Sequence, residues 1–308
     1  MDIIKNRYLY FLISLIVIIP GMIALALWGL PLAIDFTGGS MLEVKFESGK
    51  APQPAEIIKV YQGLNIADPQ VQTSEGDTVI IRSKDITEEI KDLILVELGK
   101  KFNSKTEVTR FDTVGPTIGQ EIAGRAAITV GLAALGILLY ITWAFRKIPN
   151  AFRYGTAAII AMLHDIAVVV GIEAIFGHYL GWEVDSLFLT ALLTVIGFSV
   201  HDTVVVFDRI RENSQIHRNL SYDRIVNHSL VQTLGRSIKT QFTVMLTLLA
   251  LVLFGGVTIF HFTVILLVGI FSGTFSSIFN AAQILVVWEY KEWQNWFKPK
   301  KQVSETTA

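Results

Sequence analysis

The chain has 308 residues, 52% of them apolar and 17% charged, with a formal net charge of −1 and no cysteine. The missing cysteine excludes disulfides, thiolate nucleophiles and Cys-ligated metal centres, and the near-neutral charge excludes a nucleic-acid binder, which must neutralise many phosphates. Apolar windows of about 20 residues recur along the chain, the pattern of a multi-span membrane protein, because about 30 Å of hydrocarbon takes about 20 helical residues to cross.

The first span is expected from Tyr8 to Leu30. Lys5 and Arg7 precede it and Ala24-Leu25-Ala26 lies near its end, so a cleaved signal peptide is the competing reading. Its apolar run is much longer than a signal h-region, which favours a retained span. From Pro31 to about Gly119 the composition turns soluble. SMLEVKFE (40–47) alternates like a half-buried strand, and PAEIIKVYQGL (54–64) opens with proline and has helical spacing. PQVQTS (69–74) and DTVIIRS (77–83) read as strands turning across Glu75-Gly76. ITEEIKDLILVELGKKF (86–102) is an amphipathic helix with acids early and lysines late, as the helix dipole prefers. KTEVTRFDTV (105–114) closes the set as a strand, and the order β-α-β-β-α-β is the ferredoxin-like pattern. Five further apolar stretches follow, at 122–145, 154–177, 186–207, 237–256 and 262–288. The predicted fold class is a six-helix multi-pass membrane protein with an α+β ferredoxin-like extracytoplasmic domain between helices one and two.

Loop charge sets orientation. Lys5 and Arg7 precede span one; Arg146, Lys147 and Arg153 separate spans two and three; Arg209, Arg211, Arg218 and Arg224 separate spans four and five; Lys291, Lys298, Lys300 and Lys301 follow span six. Loops 178–185 and 255–262 contain no Lys or Arg. The positive-inside rule then puts both termini in the cytoplasm. The predicted division is 1–30, cytoplasmic N-terminus and span one; 31–119, extracytoplasmic domain; 120–290, five-helix transmembrane bundle; 291–308, cytoplasmic tail.

The chemistry-bearing stretch is GFSVHDTVVVFDRIREN (197–213), where His201 and Asp202 interrupt an apolar run. An acid at such depth costs about 2.5–3.5 kcal/mol on insertion scales, so it marks a functional site unless it snorkels to water. Ser186, Thr190, Thr194, Phe198 and Asp202 fall near one face of span four, a row of hydroxyls leading to an acid. At 1.5 Å per residue Asp202 lies about 24 Å beyond Ser186, and Asp165 in span three lies about 16 Å beyond Tyr154, near the midplane. Arg236, at the start of span five, is placed to meet Asp202. Small residues recur every four positions in span six (Gly269, Gly273, Ser277, Ala281) and in span two (Ala123, Ala127, Gly131), as helix packing in a bilayer favours. A polar row, Ser272, Ser276 and Asn280, runs beside the first of these stripes.

Two stretches, AIDFTGGSMLEV (33–44) and VIGFSVHDTVVVFDRIREN (195–213), resemble the SecD/SecF family of the bacterial Sec protein-export machinery, on its SecF side. VGPTIGQEI (114–122) and MLHDI (162–166) are lesser matches in the same order. The resemblance implies a relative of the resistance-nodulation-division transporters that works with a SecD-like subunit. It also implies use of the proton-motive force to help draw preproteins from the SecYEG channel, with SecA met only indirectly. Beyond membrane lipid, no nucleic acid, metal or cofactor is implied, and protons are the coupling ion. The family's membrane acid matches Asp202 and its basic partner matches Arg236, with Asp165 and His201 as further candidates on the proton pathway. His201 is a departure, since the family usually has Asn there. The structural signature Asp35, Phe36, Thr37, Gly38 and Gly39 matches the family motif after span one. The implied location is the bacterial plasma (inner) membrane, with an internal photosynthetic membrane as the other compartment open to it.

Two other classes compete. A proton-driven exporter of small molecules or lipids in the same superfamily carries two six-span halves, and this chain supplies one. An enzyme is suggested only by the dipeptides His164-Asp165 and His201-Asp202, without the further ligands of a metal phosphohydrolase. The chain is therefore not expected to be an enzyme.

Overall fold

The computed structural model of the chain describes residues 2–67, 69–74, 76–146 and 150–295. Glu75 of the expected turn, Lys147, and Lys298, Lys300 and Lys301 of the expected tail lie outside the described residues. Six helices are long and apolar enough to cross a membrane: Ile4–Trp28, Pro116–Ala144, Ala151–Leu180, Ser186–Ile216, Tyr222–Phe254 and Ile259–Glu289.

In chain order the elements are α1 (Arg7–Trp28), α2 (Ile34–Thr37), β1 (Gly39–Phe46), α3 (Pro54–Gly63), β2 (Gln70–Ser74), β3 (Thr78–Ser83), α4 (Glu88–Phe102) and β4 (Thr106–Val114). Then come α5 (Pro116–Ala144), α6 (Ala151–Leu180), α7 (Ser186–Ile216), α8 (Tyr222–Phe254), α9 (Val257–Ser276), a π turn (Ser277–Ala281) and α10 (Ala282–Glu289). The long helices overrun the apolar stretches that announce them. α8 starts 15 residues before the expected 237, and α7 runs nine past 207. Hydropathy marks what fits hydrocarbon, whereas the backbone goes on donating i→i−4 bonds through polar helix formers such as 208–215.

The chain divides into two compact units, one of them made of Trp28–Gly131 with Glu173–Leu189. It therefore takes in the loop between α6 and α7 and the helix ends beside it, which the expected 31–119 boundary left out. Its sheet has the order β2-β3-β1-β4, every neighbouring pair antiparallel. The pleat sends alternate residues inward: Leu42, Val44 and Phe46 from β1, Val79 and Ile81 from β3. Two helices cover that face at i, i+4 spacing, Ile57 and Tyr61 from α3, Ile94 and Leu98 from α4. Thr87 caps α4 by accepting from Ile90 N, and Lys100 and Lys101 sit in its last turn.

α2, too short for periodicity to reveal, shapes the FTGG segment. Gly38 ends it at φ 74°, ψ 165°, a region open only to glycine. A Cβ on Gly38 would lie 2.6 Å from Pro116 Cα, so the residue supplies close backbone approach as well as the turn.

The other unit holds the remaining described residues. Phe145 stacks on Tyr154 with centroids 5.3 Å apart, and Phe207 of α7 meets both rings edge-on. In span six the small-residue stripe faces α7: a Cβ on Gly269 would meet the Val195 methyls, and one on Gly273 would lie 3.1 Å from Ser199 Cβ. In α5, by contrast, a Cβ on Gly131 would meet nothing within 4 Å.

Two stability predictions follow from the sheet-bearing unit. Gly38→Ala carries both a backbone cost of about 1–3 kcal/mol and the clash with Pro116. Gly49 has φ +72° with nothing within 4 Å of an added Cβ, so Gly49→Ala carries the backbone cost alone. Thermal unfolding in mild detergent should show the larger loss of Tm for Gly38→Ala, and equal losses would refute the close-approach role. Tyr61 is fully buried, and its hydroxyl has no hydrogen-bond partner among the described residues. Burial pushes that hydroxyl well above the usual tyrosine range. An unsatisfied buried polar group costs about 1–3 kcal/mol, so Tyr61→Phe should leave Tm unchanged or raise it. A loss of several degrees would show that the hydroxyl is bonded.

Candidate functional site

Among the described residues three carboxylates are buried along the membrane-spanning helices: Asp165 and Glu173 of α6, at 0% exposure, and Asp202 of α7, at 3%. Asp202 is held from α8. Ser237 Oγ donates to its Oδ1 at 3.4 Å and Gln241 Nε2 to its Oδ2 at 3.0 Å. No ion pair to Asp202 forms among the described residues.

Arg236 is exposed and does not meet Asp202. Helical phase explains the difference from the expected pairing. Ser237 and Gln241 are four apart and share a face, while Arg236 is turned about 100° from Ser237. His201 is likewise exposed, one residue and about 100° away from the face that buries Asp202.

Asp165 sits in a fuller cage. Ser199 of α7 donates to Oδ2 at 2.5 Å, Ser276 of α9 to Oδ2 at 2.7 Å, and Ser272 of α9 to Oδ1 at 2.7 Å. His164 Nδ1 lies 3.0 Å from Oδ1, and its Nε2 lies 3.0 Å from Ser14 Oγ of α1. Asn280, in the π turn, donates through Nδ2 to the same Ser14 oxygen at 2.8 Å. One direction satisfies the whole row: the Asn280 amide donates to Ser14, the Ser14 hydroxyl to His164, and the other imidazole nitrogen to Asp165. This is the place of the His164-Asp165 dipeptide in the fold: a bonded pair, with no group of metal-ligating side chains among the described residues.

The two aspartates differ in vacancy. A carboxylate offers about four lone-pair sites, and Asp165 meets four groups while Asp202 meets two. Asp202 therefore has lone-pair positions open to a proton. Gln241 suits both states, since its Oε1 is buried without a partner among the described residues and a turned amide would present that oxygen to a protonated acid.

Two members of the hydroxyl row expected on span four have bonds within the described residues. Thr194 donates to the Thr190 carbonyl at 2.7 Å, within its own helix. Ser186 is taken by Asp35, whose Oδ2 accepts from Ser186 N at 2.8 Å and from Ser186 Oγ at 2.5 Å. Of the rest of that motif, Phe36 is buried and Thr37 donates to the Ala33 carbonyl at 3.1 Å. The sequence reading passed over Glu173, a buried acid, and Ser14, Ser199, Ser237 and Gln241, residues around the two aspartates. An acid inside the apolar run of span three was a signal for Glu173; no local signal marks the others.

A family model described as "Protein export membrane protein SecD/SecF, C-terminal" matches residues 94–291, and "SecD/SecF GG Motif" matches residues 24–50. Protein translocase subunit SecF of Anaerolinea thermophila is 57% identical over 97% of this chain and 97% of its own length. The namesake from Thermobaculum terrenum is 49% identical over 96% of each. A crystal structure of SecDF, titled a translocon-associated membrane protein, from Thermus thermophilus matches with a TM-score of 0.80 and 29% identity. That match covers 94% of this chain and 39% of the solved one. On this similarity the chain belongs to the SecD/SecF family of protein-export membrane proteins, among its SecF members.

Proposed function

We propose that the chain is an accessory subunit of the Sec preprotein translocase which, with a SecD-like partner, uses the proton-motive force to promote preprotein export through SecYEG. The observation that carries this reading is Asp202, buried in a membrane-spanning helix on two neutral donors, with acceptor capacity to spare. The names of the relatives support the export role. Support for the partner comes from curated relatives named Protein translocase subunit SecDF, in Bacillus subtilis and Thermus thermophilus, of whose length this chain covers only 38% and 35%. SecA is met indirectly through the channel. No cofactor serves the proposed cycle; protons are the coupling ion.

Membership of the family favours a bacterial plasma membrane, with an internal photosynthetic membrane as the other compartment open to it, and the loop charges favour both termini in the cytoplasm and residues 31–119 outside. The antiparallel sheet order β2-β3-β1-β4, with α3 and α4 on one face, supports reading that outer domain as ferredoxin-like.

In the proposed cycle a proton from outside reaches Asp202. The neutral acid loses its charge-assisted bond to Gln241, whose amide turns to accept, and α7 and α8 repack. The Asp165 cage, with His164, is a second polar station on α6. Arg236, well inside α8 rather than at its start, supplies positive charge there and approaches Asp202 in another state of the cycle. His201, on the exposed side of α7, has no step assigned to it. One proton crossing about 100 mV releases about 2.3 kcal/mol, while a full two-state switch takes about 5.5 kcal/mol. More than one proton per cycle, or a partial population shift, is therefore required. An exporter of small molecules or lipids is the second reading, favoured if the chain purifies without a SecD-like subunit.

Asp202→Asn keeps size and hydrogen bonding while removing the exchangeable proton. In inverted membrane vesicles carrying the full translocase it should abolish gradient stimulation of export and leave ATP-driven export intact; a parental response would overturn the coupling role. Orientation has its own check. A reporter active only outside the cytoplasm should be active after Lys50 and silent after Asn219, and equal activity at both sites would sink the six-span arrangement.

A further inference from the structure

The family motif after α1 has so far explained a turn and a close packing, but its aspartate does something else. α7 begins at Ser186, and the first N–H groups of any helix lack partners within it. Asp185 Oδ1 accepts from Phe188 N at 2.7 Å, the usual cap from the preceding residue. Ser186 N is satisfied from 151 residues away, by Asp35, which also holds the Ser186 hydroxyl. A carboxylate there is further favoured by the positive end of the helix dipole.

This bond is one of a set. The Ala33 N–H donates to the Val184 carbonyl at 2.9 Å, and the Val184 N–H to the Pro31 carbonyl at 2.8 Å. On the sheet side, Arg82 Nε of β3 lies 2.7 Å from Glu183 Oε2, and Gln72 Nε2 of β2 donates to the Leu180 carbonyl at 3.3 Å. Burial outweighs Arg82 and raises Glu183 above the usual carboxylate range. The loop before α7 is thus tied both to the 31–35 segment and to the strands, and these residues fall in one compact unit. A connection meant only to join α6 to α7 needs none of these ties.

We propose that Asp35 is a positioning residue for coupling: it fastens the start of α7, the helix that carries Asp202, to the segment leading into the sheet. Displacement of α7 is thereby passed to the α+β domain rather than lost in a loose loop. The inference rests on the proton-coupled reading of Asp202 and adds the part through which motion leaves the helix.

The test compares Asp35→Ala, Asp35→Asn, Ser186→Ala and Asp202→Asn in the complete translocase, in vesicles with and without a proton gradient. The infrared band of protonated carboxyl is followed on the purified protein. Asp35→Ala should cut gradient stimulation about fivefold or more, the lower range of allosteric couplings, while the pH-dependent carboxyl band that Asp202→Asn removes is retained. Asp35→Asn, which keeps an acceptor without the charge, and Ser186→Ala, which keeps the backbone bond, should fall between Asp35→Ala and the parent. Parental stimulation in Asp35→Ala, with Asp202→Asn inactive, overturns this inference alone. Loss of the band together with stimulation in Asp35→Ala overturns it too, showing a general structural role. Full stimulation in Asp202→Asn instead overturns the coupling reading itself.

Discussion

Burying a carboxylate among membrane-spanning helices is the constraint on which the packing of this chain depends. Asp165 and Asp202 are almost wholly removed from solvent, and an unpaired charge in such a place is costly. Neither is answered by a lysine or arginine among the described residues. Both are answered by small neutral donors projecting from neighbouring helices: serines on α7 and α9 for Asp165, a serine and a glutamine on α8 for Asp202. Neutral donors can be exchanged or reoriented without exposing a second charge, so the arrangement suits a group that changes protonation.

Close backbone approach makes this possible. A serine reaches a carboxylate on another helix only if the two backbones nearly touch, and Gly273 meets Ser199 within the Asp165 cage. The π turn at Ser277–Ala281 adds local freedom, as such turns do at functional positions. It holds Asn280 against Ser14, and Ser277 donates to the Ser199 carbonyl at 3.0 Å. Packing and chemistry therefore share the same residues: the small side chains that let α7 and α9 meet also furnish the donors.

The order of elements in the soluble stretch, and the presence of six spans, were legible because strand alternation and 20-residue apolar runs are local signals. Asp202 was legible for the same reason, as an acid inside such a run. The partners were not. Asp165 draws on residues 34, 107 and 111 positions away, and only the packing of α6 with α7 and α9 brings them together. The row Ser272, Ser276 and Asn280 was visible as a pattern, yet nothing in the pattern says that it faces Asp165. Arg236 shows the reverse limit. Depth along the helix suggested that it could meet Asp202, but phase decides, and phase gives the contact to Ser237 and Gln241. Asp35 was legible only as part of the family signature, because its partner, Ser186, belongs to another helix.

The central claim is that Asp202 takes up and releases a proton in place. Infrared difference spectra of the purified chain in lipid, recorded across a pH titration, report this directly through the carbonyl stretch of a protonated carboxyl. Exchange at Asp202 gives a band that grows on acidification, shifts in heavy water, is absent from Asp202→Asn and moves when Gln241 is replaced by leucine. A spectrum in which no pH-dependent carboxyl band depends on Asp202 would contradict proton exchange at this residue.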